Sequence, residues 1–130
     1  MFPLLTAVAL NAAADGNKRV RSSLMLQESP VAGFSFYEGR AQWPKLQEGD
    51  VLELVREPGN PYDPLAVHVD WQGHKLGYVP RAENEDVARL MGEGVRLEAR
   101  ITELQNGRRP RNRVRFEIYI IDESRGVPLH

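Results

Sequence analysis

The chain has 130 residues, a length that fits one domain and leaves little room for a second. Hydrophobic residues make up 42% and charged residues 27%, which predicts a globular core rather than an unfolded chain. There is no cysteine, so disulfides, thiolate metal sites and a cysteine nucleophile are excluded. The net charge of -1 excludes a global basic field that attracts nucleic acid, although residues 100–115 contain six arginines against a single glutamate.

The first 22 residues differ in character from the rest of the chain. Residues 2–10 form an apolar run that is too short to cross a bilayer, and three alanines follow at positions 12–14. This pattern suits the apolar core and cleavage site of a secretory leader, although no lysine or arginine precedes it. Two interpretations stay open: a leader on an exported protein, or a disordered N-terminal tail on a cytoplasmic one. Either way, we expect residues 1–22 to lie outside the domain, residues 23–122 to form it, and residues 123–130 to be a tail.

The segments that follow are typical of short strands separated by glycine and proline turns. We predict strands in residues 24–26, 31–37, 51–56, 65–71, 74–79, 95–104 and 113–121. Residues 81–94 are predicted to hold the single helix, with Asn84 as its N-cap and an apolar stripe formed by Val87, Leu90 and Met91. About six strands and one helix indicate a mainly β protein folded as a small barrel, because closure hides the sheet edges.

The loop of residues 57–64 is the most unusual stretch of the sequence. It has three prolines, a glycine and an asparagine among eight residues, a composition that excludes helix and interior strand. Such a loop is stiff, and a stiff loop holds side chains in place for binding at low entropic cost.

Patterns that carry catalysis or metal binding are not found in the sequence. His68 and Asp70 share a strand face, but a metal site needs three or four converging ligands, and a solvated histidine explains the spacing equally well. There is neither a glycine-rich phosphate loop before a helix nor a Gly-x-Ser-x-Gly turn. We therefore predict a binding domain without catalytic residues, cofactor or metal.

Three segments of the sequence resemble a known family. They are Val31-Ala32-Gly33-Phe34-Ser35-Phe36-Tyr37, Arg56-Glu57-Pro58-Gly59-Asn60-Pro61-Tyr62-Asp63-Pro64-Leu65-Ala66-Val67 and Lys75-Leu76-Gly77-Tyr78-Val79-Pro80-Arg81. Their order and spacing, over roughly residues 30–121, closely resemble the HIRAN family. The resemblance implies a modified OB-like barrel. In eukaryotic members this domain is fused to DNA translocases that remodel stalled replication forks, and it binds the 3′ end of single-stranded DNA.

The resemblance also implies which residues contact the DNA. Phe36 and Tyr62 would stack on the two faces of the terminal base, and Asp63 would accept a hydrogen bond from the free 3′-hydroxyl. Asn60 would orient the loop and approach the sugar or phosphate. Base–aromatic stacking contributes about 1–3 kcal/mol per base and tolerates any base. An internal nucleotide is rejected because its 3′-oxygen is esterified and has no proton to donate.

Two further positions match the family and three depart from it. Tyr78 falls where the family often has a polar ring, and Arg81 falls where it has a phosphate-binding cation. Ser35 stands where DNA-binding relatives can have a basic residue, and Gly59 and Leu65 replace asparagines. The set of phosphate contacts is therefore thinner in this chain, and the arginine-rich hairpin of residues 100–115 lies outside the family motif.

We therefore expect a monomeric nucleic-acid-binding module whose partner is single-stranded DNA with a free 3′ end. The alternative is an exported module that binds a small ligand or a protein with the same aromatic residues and does not bind DNA. The leader-like N-terminus motivates this alternative. A mature N-terminus near Asp15, measured by intact mass, would favour it.

Overall fold

The computed structural model describes residues 8–11, 19–106 and 113–125. They form seven strands: β1 (Val8–Asn11), β2 (Arg19–Pro30), β3 (Val51–Arg56), β4 (Val67–Trp71), β5 (His74–Tyr78), β6 (Leu97–Gln105) and β7 (Arg113–Arg125). Two helices lie between them, the single turn α1 (Gly39–Gln42) and α2 (Glu85–Gly92), with short 3-10 turns at Phe34–Phe36, Trp43–Lys45 and Arg81–Glu83. All neighbouring strands are antiparallel, in the order β1-β2-β7-β6-β3-β4-β5. The mainly β class is confirmed.

The sheet has two edges, β1 and β5, in the part of the chain that the structure describes. An isolated bridge joins the segment after β2 to β5: the N–H of Ala32 donates to the carbonyl of Tyr78 at 2.8 Å, and the reverse bond measures 2.9 Å. Gly77 permits this approach, since a Cβ on it would lie 2.3 Å from the carbonyl oxygen of Ala32. The bridge does not continue as a ladder, so the sheet is unclosed and the OB-like barrel stays a prediction.

The strand predicted over residues 31–37 is wrong: β2 ends at Pro30, and Ala32 forms only the isolated bridge. Gly33 adopts a left-handed conformation (φ 75°), and the N–H of Phe36 donates back to its carbonyl at 2.9 Å, which closes a 3-10 turn. The turn buries Phe34 against the edge of Trp43, with ring centroids 5.8 Å apart. Phe34 and Phe36 lie two positions apart in the sequence, and this spacing predicted a strand. The same spacing also fits a 3-10 turn.

Strands also extend into both terminal segments of the predicted domain organisation. Residues 8–11 pair with residues 20–23, so most of this pairing falls within the segment expected to lie outside the domain. β7 runs through Arg125 into the predicted tail. These pairings do not decide whether residues 1–22 are a leader, which stays a prediction. Residues 1–7, 12–18 and 126–130 lie outside the described residues.

Helix α2 is shorter than the predicted helix of residues 81–94, because its first turn is a separate 3-10 turn, Arg81–Glu83. Asn84 occupies the predicted N-cap position, but its side chain makes no capping hydrogen bond. Val87 is fully buried and Met91 packs on the core, as the apolar stripe predicted.

The core lies on one face of the sheet and under α2. Its fully buried side chains come mostly from alternate strand positions: Leu76, Val67, Val69, Val79, Val87, Ile101, Val114, Phe116 and Ile118. In β4, Val67, Val69 and Trp71 are buried, while His68 and Asp70 on the opposite face are half-buried. The opposite face of β4 and β5 therefore remains available for polar residues.

Candidate nucleic-acid interface

The loop between β3 and β4 is held together by the side chain of Asn60. Its Oδ1 accepts hydrogen bonds from the backbone N–H groups of Tyr62 at 2.8 Å and Asp63 at 3.1 Å. Its Nδ2 donates to Oε1 of Glu57 at 2.7 Å. The flanking prolines have no N–H to pair, so one asparagine satisfies much of the polar backbone of the loop. The result is a fixed loop on which the ring of Tyr62 is 82% exposed.

Asp63 is fixed by two donors from different parts of the chain. Its Oδ1 accepts the backbone N–H of Leu65 at 2.9 Å, and its Oδ2 accepts Nδ2 of Asn84 at 2.8 Å. The Leu65 N–H, then the Asn84 amide and the charges of Arg81 and Arg56, hold the pKa of Asp63 below its usual value. Asp63 is therefore ionised at neutral pH and acts as a hydrogen-bond acceptor.

Glu57 joins this loop to the hairpin of β4 and β5. Its Oε1 accepts the Asn60 amide and the hydroxyl of Tyr78, both at 2.7 Å. Its Oε2 lies 3.5 Å from Nζ of Lys75 and 3.9 Å from Nε2 of His68. The hydrogen bond from Asn60, then that from Tyr78 and the charges of Lys75 and His68, lower the pKa of Glu57. A half-buried carboxylate thus ties the end of β3 to the neighbouring strands.

A bulge in β5 brings Lys75 and Tyr78 to the same face of the sheet. The register changes from Val69 opposite Gly77 to Asp70 opposite Lys75, so β5 has one extra residue. Nζ of Lys75 therefore donates to the hydroxyl of Tyr78 at 2.7 Å. In a regular strand, two residues three positions apart would point to opposite faces.

Tyr37 connects this network to the turn that contains Phe36. Its ring meets the ring of Tyr78 edge-on, with centroids 5.6 Å apart. Nζ of Lys75 lies 4.4 Å from the centroids of both rings, close enough for cation–π attraction. Phe36, next to Tyr37, is 81% exposed.

The structure brings most of the predicted site residues into one connected network. Asn60, Asp63 and Tyr78 are linked to it by hydrogen bonds, Tyr62 by its backbone and Arg81 by its charge near Asp63. Phe36 reaches this network only through its neighbour Tyr37, and in the described part of the chain it makes no ring contact with Tyr62. Phe36, Tyr62 and Asp63 are the residues predicted to contact a DNA end, and we refer to these three residues as the end-binding surface.

Two predicted residues have their polar atoms engaged within the protein. The Tyr78 hydroxyl both donates and accepts, and the three hydrogen bonds of the Asn60 side chain stay inside the loop. The role of Asn60 in orienting the loop towards a ligand stays a prediction. Direct contact of either residue with a ligand stays a prediction.

Sequence reasoning missed four residues of the network: Tyr37, Glu57, Lys75 and Asn84. The isolated glycine at position 77 was a signal for the bulge that places Lys75, because such glycines often mark bulges or close backbone approaches. The three-residue spacing of Glu57 and Asn60 in a proline-rich loop was a second signal. Asn84 was placed correctly at the start of α2, but nothing local indicated a partner 21 residues away.

The positions that depart from the family pattern are exposed. Ser35, Gly59 and Leu65 all face solvent, and so does Arg81. In the arginine-rich hairpin, Nε of Arg115 pairs with Glu28 at 3.2 Å, and Nη1 of Arg100 donates to the carbonyl of Gly49. Arg108, Arg109 and Arg111 lie outside the described residues.

The described residues contain no helix long and apolar enough to cross a membrane. They also contain no group of three or more His, Asp or Glu side chains positioned to hold a metal ion. His68 and Asp70 do pair, with 2.7 Å between Nδ1 and Oδ1, but Glu57 lies 3.9 Å from the other ring nitrogen.

These features define a small antiparallel β domain that exposes a tyrosine, Tyr62, next to the ionised, fixed carboxylate of Asp63. Residues 24–121 match the HIRAN domain family, and the chain belongs to that family. No curated protein matches the sequence.

Two solved structures are similar to this chain. A protein from Lactobacillus plantarum has 29% sequence identity and a TM-score of 0.69, over 78% of this chain and 98% of that one. The HIRAN domain of human HLTF has 19% identity and a TM-score of 0.60, over 76% of this chain and 78% of that one. At that identity, the human domain is evidence for the fold alone.

Proposed function

We propose that this protein binds the 3′ end of single-stranded DNA through the end-binding surface. The terminal base stacks between Phe36 and Tyr62, and Asp63 accepts a hydrogen bond from the 3′-hydroxyl. The observation that carries the proposal is the Asp63 carboxylate, fixed by the Leu65 N–H and the Asn84 amide beside an almost fully exposed tyrosine. Membership of the HIRAN family supports it.

The exposure of the two rings supports a stacking role. Burial of a large aromatic side chain stabilises a folded protein. Phe36 and Tyr62 are nevertheless 81% and 82% exposed, so both rings are available to a ligand. Stacking on a nucleic-acid base contributes about 1–3 kcal/mol per base and does not depend on which base is presented. The surface therefore suits single-stranded DNA of any sequence.

The state of Asp63 supports selectivity for a free end. Each carboxylate oxygen has one protein donor and keeps capacity for a second hydrogen bond. A 3′-hydroxyl supplies the donor that this capacity needs. An internal nucleotide has no such proton, and a 3′-phosphate would place negative charge against the ionised carboxylate. The exposed guanidinium of Arg81, whose charge acts on Asp63, is suited to the last internucleotide phosphate.

Fluorescence anisotropy with a short labelled strand tests the proposal. We expect the strand with a 3′-hydroxyl to bind at least about tenfold more tightly than the same strand with a 3′-phosphate, since hydrogen bonds to charged groups contribute about 1.5–3 kcal/mol. Asp63→Ala should abolish this preference, and Tyr62→Ala should weaken binding of both strands.

The matched control is Val51→Ala, which shortens another exposed apolar side chain on β3, outside the network that contains Asp63. It should bind both strands like the unmodified protein. If neither strand binds at moderate salt, the proposal is wrong and the surface serves another ligand.

A further inference from the structure

Asn84 combines burial, an N-cap position and a missing capping bond. It is 3% exposed, and Ser29 is the other buried polar residue in the described part of the chain. An asparagine at an N-cap normally accepts a hydrogen bond from an N–H of the first helical turn, which contributes about 1 kcal/mol. In this structure the side chain makes no such bond. Helix α2 therefore begins without the side-chain capping bond that commonly stabilises a helix.

The side chain instead donates to Asp63. Its Nδ2 lies 2.8 Å from Oδ2 of Asp63, across the interface between α2 and the loop. The other oxygen of Asp63 is held by the Leu65 N–H within the loop. With one donor a carboxylate can rotate about that contact, whereas two donors fix the directions of both oxygens. Asn84 thus fixes where the remaining lone pairs of Asp63 point.

We propose that Asn84 is a positioning residue that sets the discrimination of the 3′-hydroxyl by aligning the Asp63 carboxylate. This inference rests on the proposed function. Binding sites need residues whose own conformations are locked by a supporting layer of hydrogen bonds, and local rules of stability are broken most often at such sites. An amide suits the role because it donates a hydrogen bond without neutralising the carboxylate.

The test uses three strands that differ only in the 3′ substituent: hydroxyl, hydrogen or phosphate. The ratio of affinities for the hydroxyl and hydrogen strands isolates the hydrogen bond, because stacking and the other phosphate contacts cancel. We expect this ratio to be about tenfold or more in the unmodified protein. In Asn84→Ser the residue remains a good N-cap, but its side chain is too short to hold Asp63. The ratio should fall towards one while both strands still bind.

Asn84→Asp gives a second readout, which a merely structural role would not produce. The new side chain has the same shape, but at about pH 8 its carboxylate repels that of Asp63, and the hydroxyl preference should be lost. At about pH 5 the two carboxyls should share one proton, because like charges raise the pKa of such a pair. The proton then replaces the amide donor, and the preference should return. The other charged groups acting on Asp63 are Arg81 and Arg56.

The outcomes separate this inference from the proposed function. If the unmodified protein shows no preference for the hydroxyl strand, the proposed function is wrong. If it shows one that Asp63→Ala removes, but folded Asn84→Ser keeps it, the inference about Asn84 is wrong. Thermal unfolding monitors the fold, and if neither Asn84 variant folds while Asp63→Ala does, Asn84 serves the fold and the inference is also wrong.

Discussion

The two exposed rings of the end-binding surface are held by opposite kinds of interaction. Tyr62 stands on a loop whose backbone is fixed by hydrogen bonds to Asn60. Phe36 stands on a turn anchored by the buried ring of Phe34, which packs edge-on against Trp43. Polar contacts therefore hold the loop that carries Tyr62, and apolar packing holds the turn that carries Phe36. The two rings should therefore respond differently to mutation and to pH.

The largest expected effect is on the apolar side of this comparison. Phe34→Ala removes a buried ring, and such substitutions cost about 3–5 kcal/mol of unfolding free energy. Phe36→Ala, two residues away, removes an exposed ring and should change stability by less than about 0.5 kcal/mol. Denaturant unfolding followed by tryptophan fluorescence measures both. Equal costs for the two variants would contradict the assignment of Phe34 as the anchor.

A smaller effect is expected on the polar side. Asn60→Ala removes three hydrogen bonds of a partly exposed loop and should cost about 1–2 kcal/mol of unfolding free energy. Hydrogen exchange at the amides of Tyr62 and Asp63 should accelerate, because both lose their acceptor. Amides of the core strands should exchange as before.

Asn60→Asp is the matched variant for this prediction. It keeps the oxygen that accepts both backbone N–H groups and replaces the donor that faces Glu57. Because its carboxylate would repel the carboxylate of Glu57, it is combined with Glu57→Gln, whose amide can donate to it. Protection of Tyr62 and Asp63 should then be largely retained. If Asn60→Ala and this double variant lose protection equally, the two accepted bonds do not hold the loop.

The same comparison explains which parts of the fold and site were predictable. That residues 57–64 form a loop follows from local chemistry, because proline and asparagine constrain the residues beside them. The turn at Phe34 was mistaken for a strand, because alternating aromatic residues fit both and burial of the ring against Trp43 depends on distant residues. The Asp63 contact of Asn84 was missed for the same reason, since it joins two elements that only the tertiary fold brings together.

The smallest expected effect is the pH dependence of the stability that Glu57 gives to the loop that carries Tyr62. The pKa of Glu57 is lowered first by the Asn60 hydrogen bond, then by Tyr78 and by the charges of Lys75 and His68. A carboxyl whose folded pKa is depressed stabilises the protein above its unfolded pKa and loses this contribution as the pH falls through the folded pKa. The unmodified protein should therefore be more stable than Glu57→Gln at about pH 7, by less than about 1 kcal/mol because the site is partly exposed.

This stability difference should shrink as the pH is lowered from about 6 to about 3, because the carboxylate becomes protonated and approaches the state of the amide. Glu53→Gln, at an exposed position on β3, is the control for a general effect of removing one negative charge. Denaturant unfolding at several pH values measures the difference for each variant. A Glu57→Gln difference that stays constant with pH would mean that the loop is held by the shape of the side chain at position 57. If the stability difference shrinks for Glu57→Gln and not for Glu53→Gln, the charge of Glu57, which joins the loop to the β4–β5 hairpin, stabilises the segment that carries Tyr62. The turn that carries Phe36 is anchored by the apolar ring of Phe34, and its stability should not depend on pH.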